Sequence, residues 1–90
     1  MSPKILQEGA YIFWFHSYDA LYENRASVHV GKGSQNDLSD AKIWLEPKVE
    51  MANPGRILRT HEINRAIEII EENRDFLMEA WYGYSNKENR

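Results

Sequence analysis

The run Tyr11-Ile12-Phe13-Trp14-Phe15-His16-Ser17 constrains the fold of this chain more than any other segment. Aromatic and β-branched residues crowd it, which predicts a β-strand. Successive strand side chains point to opposite faces, so Tyr11, Phe13 and Phe15 share one side and Ile12, Trp14 and His16 the other. Both sides are largely apolar. A strand of this kind belongs in the middle of a sheet, because at an edge its high β-propensity without charge or proline would template aggregation.

The rest of the chain supplies partners for it. A short polar start precedes Gly9, and Tyr18 to Asn24 reads as a connection. Ser27-Val28-His29-Val30-Gly31 alternates cleanly and predicts a second strand, with Val28 and Val30 on one face and Ser27 and His29 on the other. Gly31 to Asp37 has little to bury and reads as a mobile loop. Ala41-Lys42-Ile43-Trp44-Leu45 predicts a third strand, ended by Pro47. Val49-Glu50-Met51 adds a short fourth before the turn Asn53-Pro54-Gly55.

From Thr60 the apolar period becomes helical. Ile63, Ala66, Ile67, Ile70, Leu77, Ala80, Trp81 and Tyr84 fall on one side of a long amphipathic helix. Thr60 is placed to cap it, Glu62 complements the positive end of its dipole, and Gly83 marks its end. The expected fold is α+β: a three- to four-stranded antiparallel sheet packed on one long C-terminal helix, a single domain over residues 1–84 followed by a disordered polar tail, 85–90.

Composition narrows the function. A chain of 90 residues buries only about 60–65% of its unfolded surface, enough for one core. It has no cysteine, which removes disulfides, thiolate catalysis and cysteine-ligated metal. The opening residues lack the basic-then-apolar pattern of a signal segment, so a cytoplasmic protein is expected. Its longest apolar run, Ala10 to Phe15, falls far short of the ~20 residues of a membrane helix. A net charge of −3 gives no overall attraction to nucleic acid. No pattern asks for a cofactor.

One helix covers one sheet face. The other face collects Ile12, Trp14, His16, His29, Lys42 and Trp44, which is a large aromatic surface to leave in water. Three covers are open: a partner protein or second copy, loops such as Ala20-Leu21-Tyr22, or nucleic acid stacked on the aromatics beside Arg25, Lys32, Lys42 and Lys48. His16 and His29 are candidate cross-strand neighbours. With Lys42 such a pair suits acid–base work on a phosphodiester, although spacing alone does not distinguish it from ordinary strand histidines. No third ligand at metal spacing accompanies them, so no metal site is assigned.

On the helix, Arg74 interrupts the apolar stripe. Either its stem lies on the core while its head reaches water or Glu71, or its planar fork holds a carboxylate or phosphate. Glu68, Glu72, Asp75 and Glu79 form an acidic ridge, a solvated face or a surface that steers a basic partner. Arg56-Ile57-Leu58-Arg59 is a small basic patch of low specificity.

Ser27-Val28-His29-Val30, Ala41-Lys42-Ile43-Trp44-Leu45-Glu46-Pro47, and Ile69-Ile70-Glu71-Glu72-Asn73-Arg74 through Leu77 to Trp81 together resemble a small bacterial family, domain of unknown function 4160. The likeness runs from Met1 to Tyr84, and the helix ending in tryptophan is its most specific part. Members often lie beside a second small protein in arrangements resembling toxin–antitoxin pairs, which implies a partner and no particular reaction. Where the family pattern has two prolines and a histidine, this chain carries Arg25, Ala26 and Ser27, so of the family's paired histidines His29 alone carries over. The loop Gly31 to Asp40 is also longer than the family's usual one.

The expected function is therefore that of a small regulatory or interaction protein acting with a partner in a toxin–antitoxin-like or transcriptional-control system, with no catalytic residue assigned. The alternative is an RNA-binding or RNA-cleaving module using Trp14, His16, His29, Lys42 and Trp44. A purely structural homodimer is a third.

Overall fold

The computed structural model describes residues 4–16, 19, 22–33, 35 and 39–88, with side chains described as far as 84. Five strands, β1 (Lys4–Glu8), β2 (Tyr11–Trp14), β3 (Ser27–Lys32), β4 (Ala41–Trp44) and β5 (Glu50–Asn53), form one sheet in sequence order. Every neighbouring pair is antiparallel. Helices α1 (Thr60–Glu72) and α2 (Arg74–Glu88) follow. The α+β class and the antiparallel sheet are as the sequence predicts. The sheet has one strand more than expected, and two helices replace the single long one.

The extra strand is β1. Glu8 pairs with Tyr11, so Gly9 and Ala10 alone make the connection, and Gly9 takes φ 60°. A glycine at the first position of a two-residue loop provides the turn whose twist matches its strands. The hairpin gives β2 a neighbour on each side, as its composition requires.

Register confirms the expected division of faces. Phe13 lies opposite Val30, Val30 opposite Ala41, and Val28 opposite Ile43. These residues, with Phe15 and Leu45, pack against Ala66, Ile69, Ile70, Leu77 and Trp81 from the helices. The Phe15 and Trp81 rings meet edge to face at 5.4 Å, an arrangement that favours the aromatic quadrupoles.

The helix breaks at Asn73, whose φ of −114° and ψ of 17° leave the helical region. Its side-chain Nδ2 donates to the Ile69 carbonyl at 2.8 Å, and its backbone N–H is shared by Ile69 and Ile70 at 3.1 Å. Asparagine competes with the helix for backbone acceptors, which is why it sits well at such an end. Leu77 N–H then donates to the Asn73 carbonyl at 2.9 Å and the coil resumes. Thr60 is the first helical residue rather than the cap. The cap is Arg59, whose N–H donates to the Glu62 carboxylate at 2.9 Å. Helix α2 continues through Gly83 to Glu88, into residues expected to be disordered.

Gly55 locks the β5–α1 turn. It has φ 67°, and a Cβ there would come within 2.5 Å of the Ser39 carbonyl oxygen. That carbonyl accepts the Arg56 N–H at 2.7 Å. Only glycine allows so close a backbone approach at positive φ.

Candidate functional site

The face turned away from the helices is built by cross-strand pairing: Trp14 beside His29, His29 beside Lys42, and Ser27 beside Trp44. The histidine pair expected from the sequence does meet. The His16 and His29 rings lie 5.5 Å apart, and Trp14 stacks on His29 at 5.7 Å.

This face is partly covered. Asp19 and Glu23, from between β2 and β3, place carboxylates against its strand residues. His29 Nε2 lies 2.9 Å from Asp19 Oδ2. Lys42 Nζ donates to Glu23 at 2.7 Å and lies 3.5 Å from Asp19. The Glu23 N–H donates to the Asp19 carbonyl at 2.9 Å, forming a single turn that carries both acids to the same side.

Burial tends to raise the Asp19 pKa, but the His29 hydrogen bond and the Lys42 charge outweigh it and hold the carboxyl below its ordinary value. An ionised carboxylate only accepts, so His29 Nε2–H is the donor. Among the described residues His29 Nδ1 and Ser27 Oγ have no hydrogen-bond partner. The Lys42 charge is taken up by the Asp19 and Glu23 carboxylates.

Trp44 is partly exposed and is met by two cations. The Arg25 guanidinium lies 4.2 Å from its ring centroid and Lys42 Nζ 4.7 Å, both within cation–π range. Arg25 is itself fixed, donating to the Glu46 carbonyl at 2.6 Å and pairing with Glu50. The Glu46 carboxylate accepts Tyr82 O–H at 2.6 Å and Ala26 N–H at 2.8 Å. These two bonds, the tyrosine first, hold its pKa below the ordinary value.

Several expected roles change with this geometry. Trp14, expected on an accessible face, is 0% exposed. It has no free ring surface for a base or a partner. Lys42 is held by two carboxylates, and His29 is 9% exposed. Arg74 makes no ion pair with Glu71 among the described residues; it donates to the Leu45 carbonyl at 2.8 Å and the Pro47 carbonyl at 3.3 Å, and its charge helps to hold the nearby Glu46 carboxyl down. It ties α2 to the end of β4. Of the loop cover proposed from sequence, Tyr22 is 69% exposed, while Ala20 and Leu21 lie outside the described residues. So do most of the residues of the predicted loop between Gly33 and Ser39.

Asp19 and Glu23 are the residues that sequence reasoning missed. Their only signal was two acids in a connection that leaves a strand ending in histidine. Among the described residues no group of three or more histidine, aspartate or glutamate side chains is placed to hold a metal ion. No helix is long and apolar enough to cross a membrane.

Open apolar surface lies elsewhere. On α2, Phe76 is 52% exposed and Tyr82 is also exposed. Phe76, Glu79 and Ala80 line an open-sided groove of about 280 Å³.

No curated protein and no solved structure matches the chain. The family model described as domain of unknown function (DUF4160) matches residues 10–82. Its match takes in β2 to β5, α1, most of α2 and the acids that close the second sheet face, and the chain belongs to that family.

Proposed function

We propose that this chain is a small cytoplasmic regulatory or interaction protein that works by binding a partner protein, in a bacterial toxin–antitoxin-like or transcriptional-control setting. The observation that carries this reading is how the polar and apolar groups are used. Lys42 and His29 are engaged by the chain's own carboxylates, whereas Phe76 stays half exposed on a helix whose Leu77 and Trp81 are buried in the core. A site for chemistry keeps reactive groups accessible to substrate. A docking surface keeps apolar side chains accessible to a partner. The setting rests on the gene arrangements associated with the family. Native mass spectrometry of the protein purified from its own cells should show a heterocomplex. A monomer that retains no other protein would contradict the reading.

One observation favours a second reading. His16 and His29 lie ring to ring beside Lys42, the groups that acid–base cleavage of RNA would use. Trp14's enclosure and Lys42's two carboxylates weigh against it. The RNA reading predicts salt-sensitive retention of single-stranded RNA. It is abandoned if His29→Ala changes neither that retention nor growth inhibition on overexpression.

A further inference from the structure

We infer that the outer face of α2 is the docking surface for a basic partner segment that inserts an apolar side chain beside Phe76. The inference rests on the partner-binding reading above and gives the partner a chemistry. Phe76, Glu79 and Ala80 recur at helical spacing of three and four, so they share one side of α2 and frame the groove. A half-exposed phenylalanine costs solubility. Aromatic side chains at the centre of an interface commonly supply much of its binding energy.

Charge selects the occupant. Between residues 65 and 84 the chain carries five acidic side chains against two basic ones. Of the two, Arg74 is turned inward to the carbonyls of Leu45 and Pro47. Arg65, on α1, is engaged by Glu8 at 3.2 Å, Glu68 at 3.5 Å and Glu72 at 3.9 Å. Asp75 and Glu79 are exposed and flank Phe76, and among the described residues neither makes an ion pair. A second copy would bring one acidic ridge against another, which opposes a symmetric dimer here. Lysines or arginines flanking an apolar anchor complement the surface in both respects.

The test uses two fluorescein-labelled amphipathic peptides, one of leucine and lysine and one of leucine and glutamate, titrated with the whole protein. The lysine peptide should bind saturably, and the glutamate peptide should not. Phe76→Glu should weaken binding at least about tenfold, and the exposed pair Asp75→Asn/Glu79→Gln about three- to tenfold, in line with one lost anchor and two lost surface charges. Phe76→Ala, with an unchanged circular dichroism spectrum, guards against misfolding. Raising salt from about 0.05 to 0.5 M should erode the affinity.

No binding of the lysine peptide, equal binding of both peptides, or indifference to these substitutions would overturn the inference. So would a dimer in light scattering that Phe76→Glu dissociates, which would seat a second copy there. Native complexes distinguish the two levels of the claim. A heterocomplex that survives Phe76→Glu leaves the interaction reading standing and removes this surface, whereas no heterocomplex from the unmodified protein removes the reading itself.

Discussion

On the helix side of the sheet, Phe13, Val28, Val30 and Ile43 meet Ile69, Ile70, Leu77 and Trp81 as hydrocarbon on hydrocarbon. On the other side, Asp19 and Glu23 grip His29 and Lys42, Arg25 lies over the partly exposed Trp44 ring, and Trp14 is buried against His29. Apolar cover gains free energy from the area it removes from water and responds weakly to pH. Ionic cover costs desolvation and holds only while each charge keeps its partner. The same sheet is thus sealed twice by different physics. The sides should fail under different perturbations.

The largest effect should come from the apolar side. Trp81→Ala removes a ring that is 2% exposed and packed on Phe15, and should cost about 3–5 kcal/mol in urea unfolding. Next is the ionic side. Asp19→Ala takes the acceptor from His29 and one of two carboxylates from Lys42, and should cost about 2–3 kcal/mol. If the two costs were reversed, the ionic seal would be the stronger and the comparison would break.

Acid sharpens the contrast. Asp19, Glu46 and Glu62 all have folded pKa values below their ordinary 3.8, 4.5 and 4.5. For Asp19, burial opposes the shift while the His29 bond and Lys42 drive it. For Glu46 the Tyr82 bond leads, and for Glu62 the Lys32 bond leads. A depressed carboxyl contributes stability that is complete above its unfolded pKa and is lost as pH falls through the folded one. Stability should therefore be flat near neutrality and decline as pH drops below these ordinary values. Asp19→Asn should make that decline shallower. An unchanged acid profile would show that Asp19 carries none of it. The smallest effect should be that of Tyr82→Phe, about 0.5 kcal/mol for one solvent-screened hydrogen bond to Glu46, with the Glu46 pKa returning toward 4.5 in a carboxyl titration.

The sequence marked the apolar side of this comparison well and the ionic side poorly, because periodicity reports which residues turn inward but not what returns to cover them. Val28, Val30, Ile43 and Leu45 alternate, and they do face the helices. β1 escaped notice because its apolar residues, Ile5 and Leu6, are adjacent rather than alternating, and only its pairing with β2 makes it a strand. Asn73 and Arg74 were visible as a flaw in the helical stripe. Reading that flaw as a break required the backbone bonds that Asn73 makes with Ile69 and Ile70. His16 and His29 do lie ring to ring, although His16 sits two residues past the end of β2 and the residue paired with His29 is Trp14. Asp19 reaches His29 only through the path of an irregular connection, and no local spacing records that path. Trp14 was misplaced for the same reason: its face was correct and its cover was missing.

The three indole N–H signals report the cover on this second face directly. Solvent paramagnetic relaxation at neutral pH should leave the Trp14 indole as protected as that of Trp81, with both far less affected than Trp44, whose residue is partly exposed. A Trp14 indole relaxed as strongly as that of Trp44 would mean an open aromatic face, contradicting the ionic seal and returning the sheet to contention as the recognition surface.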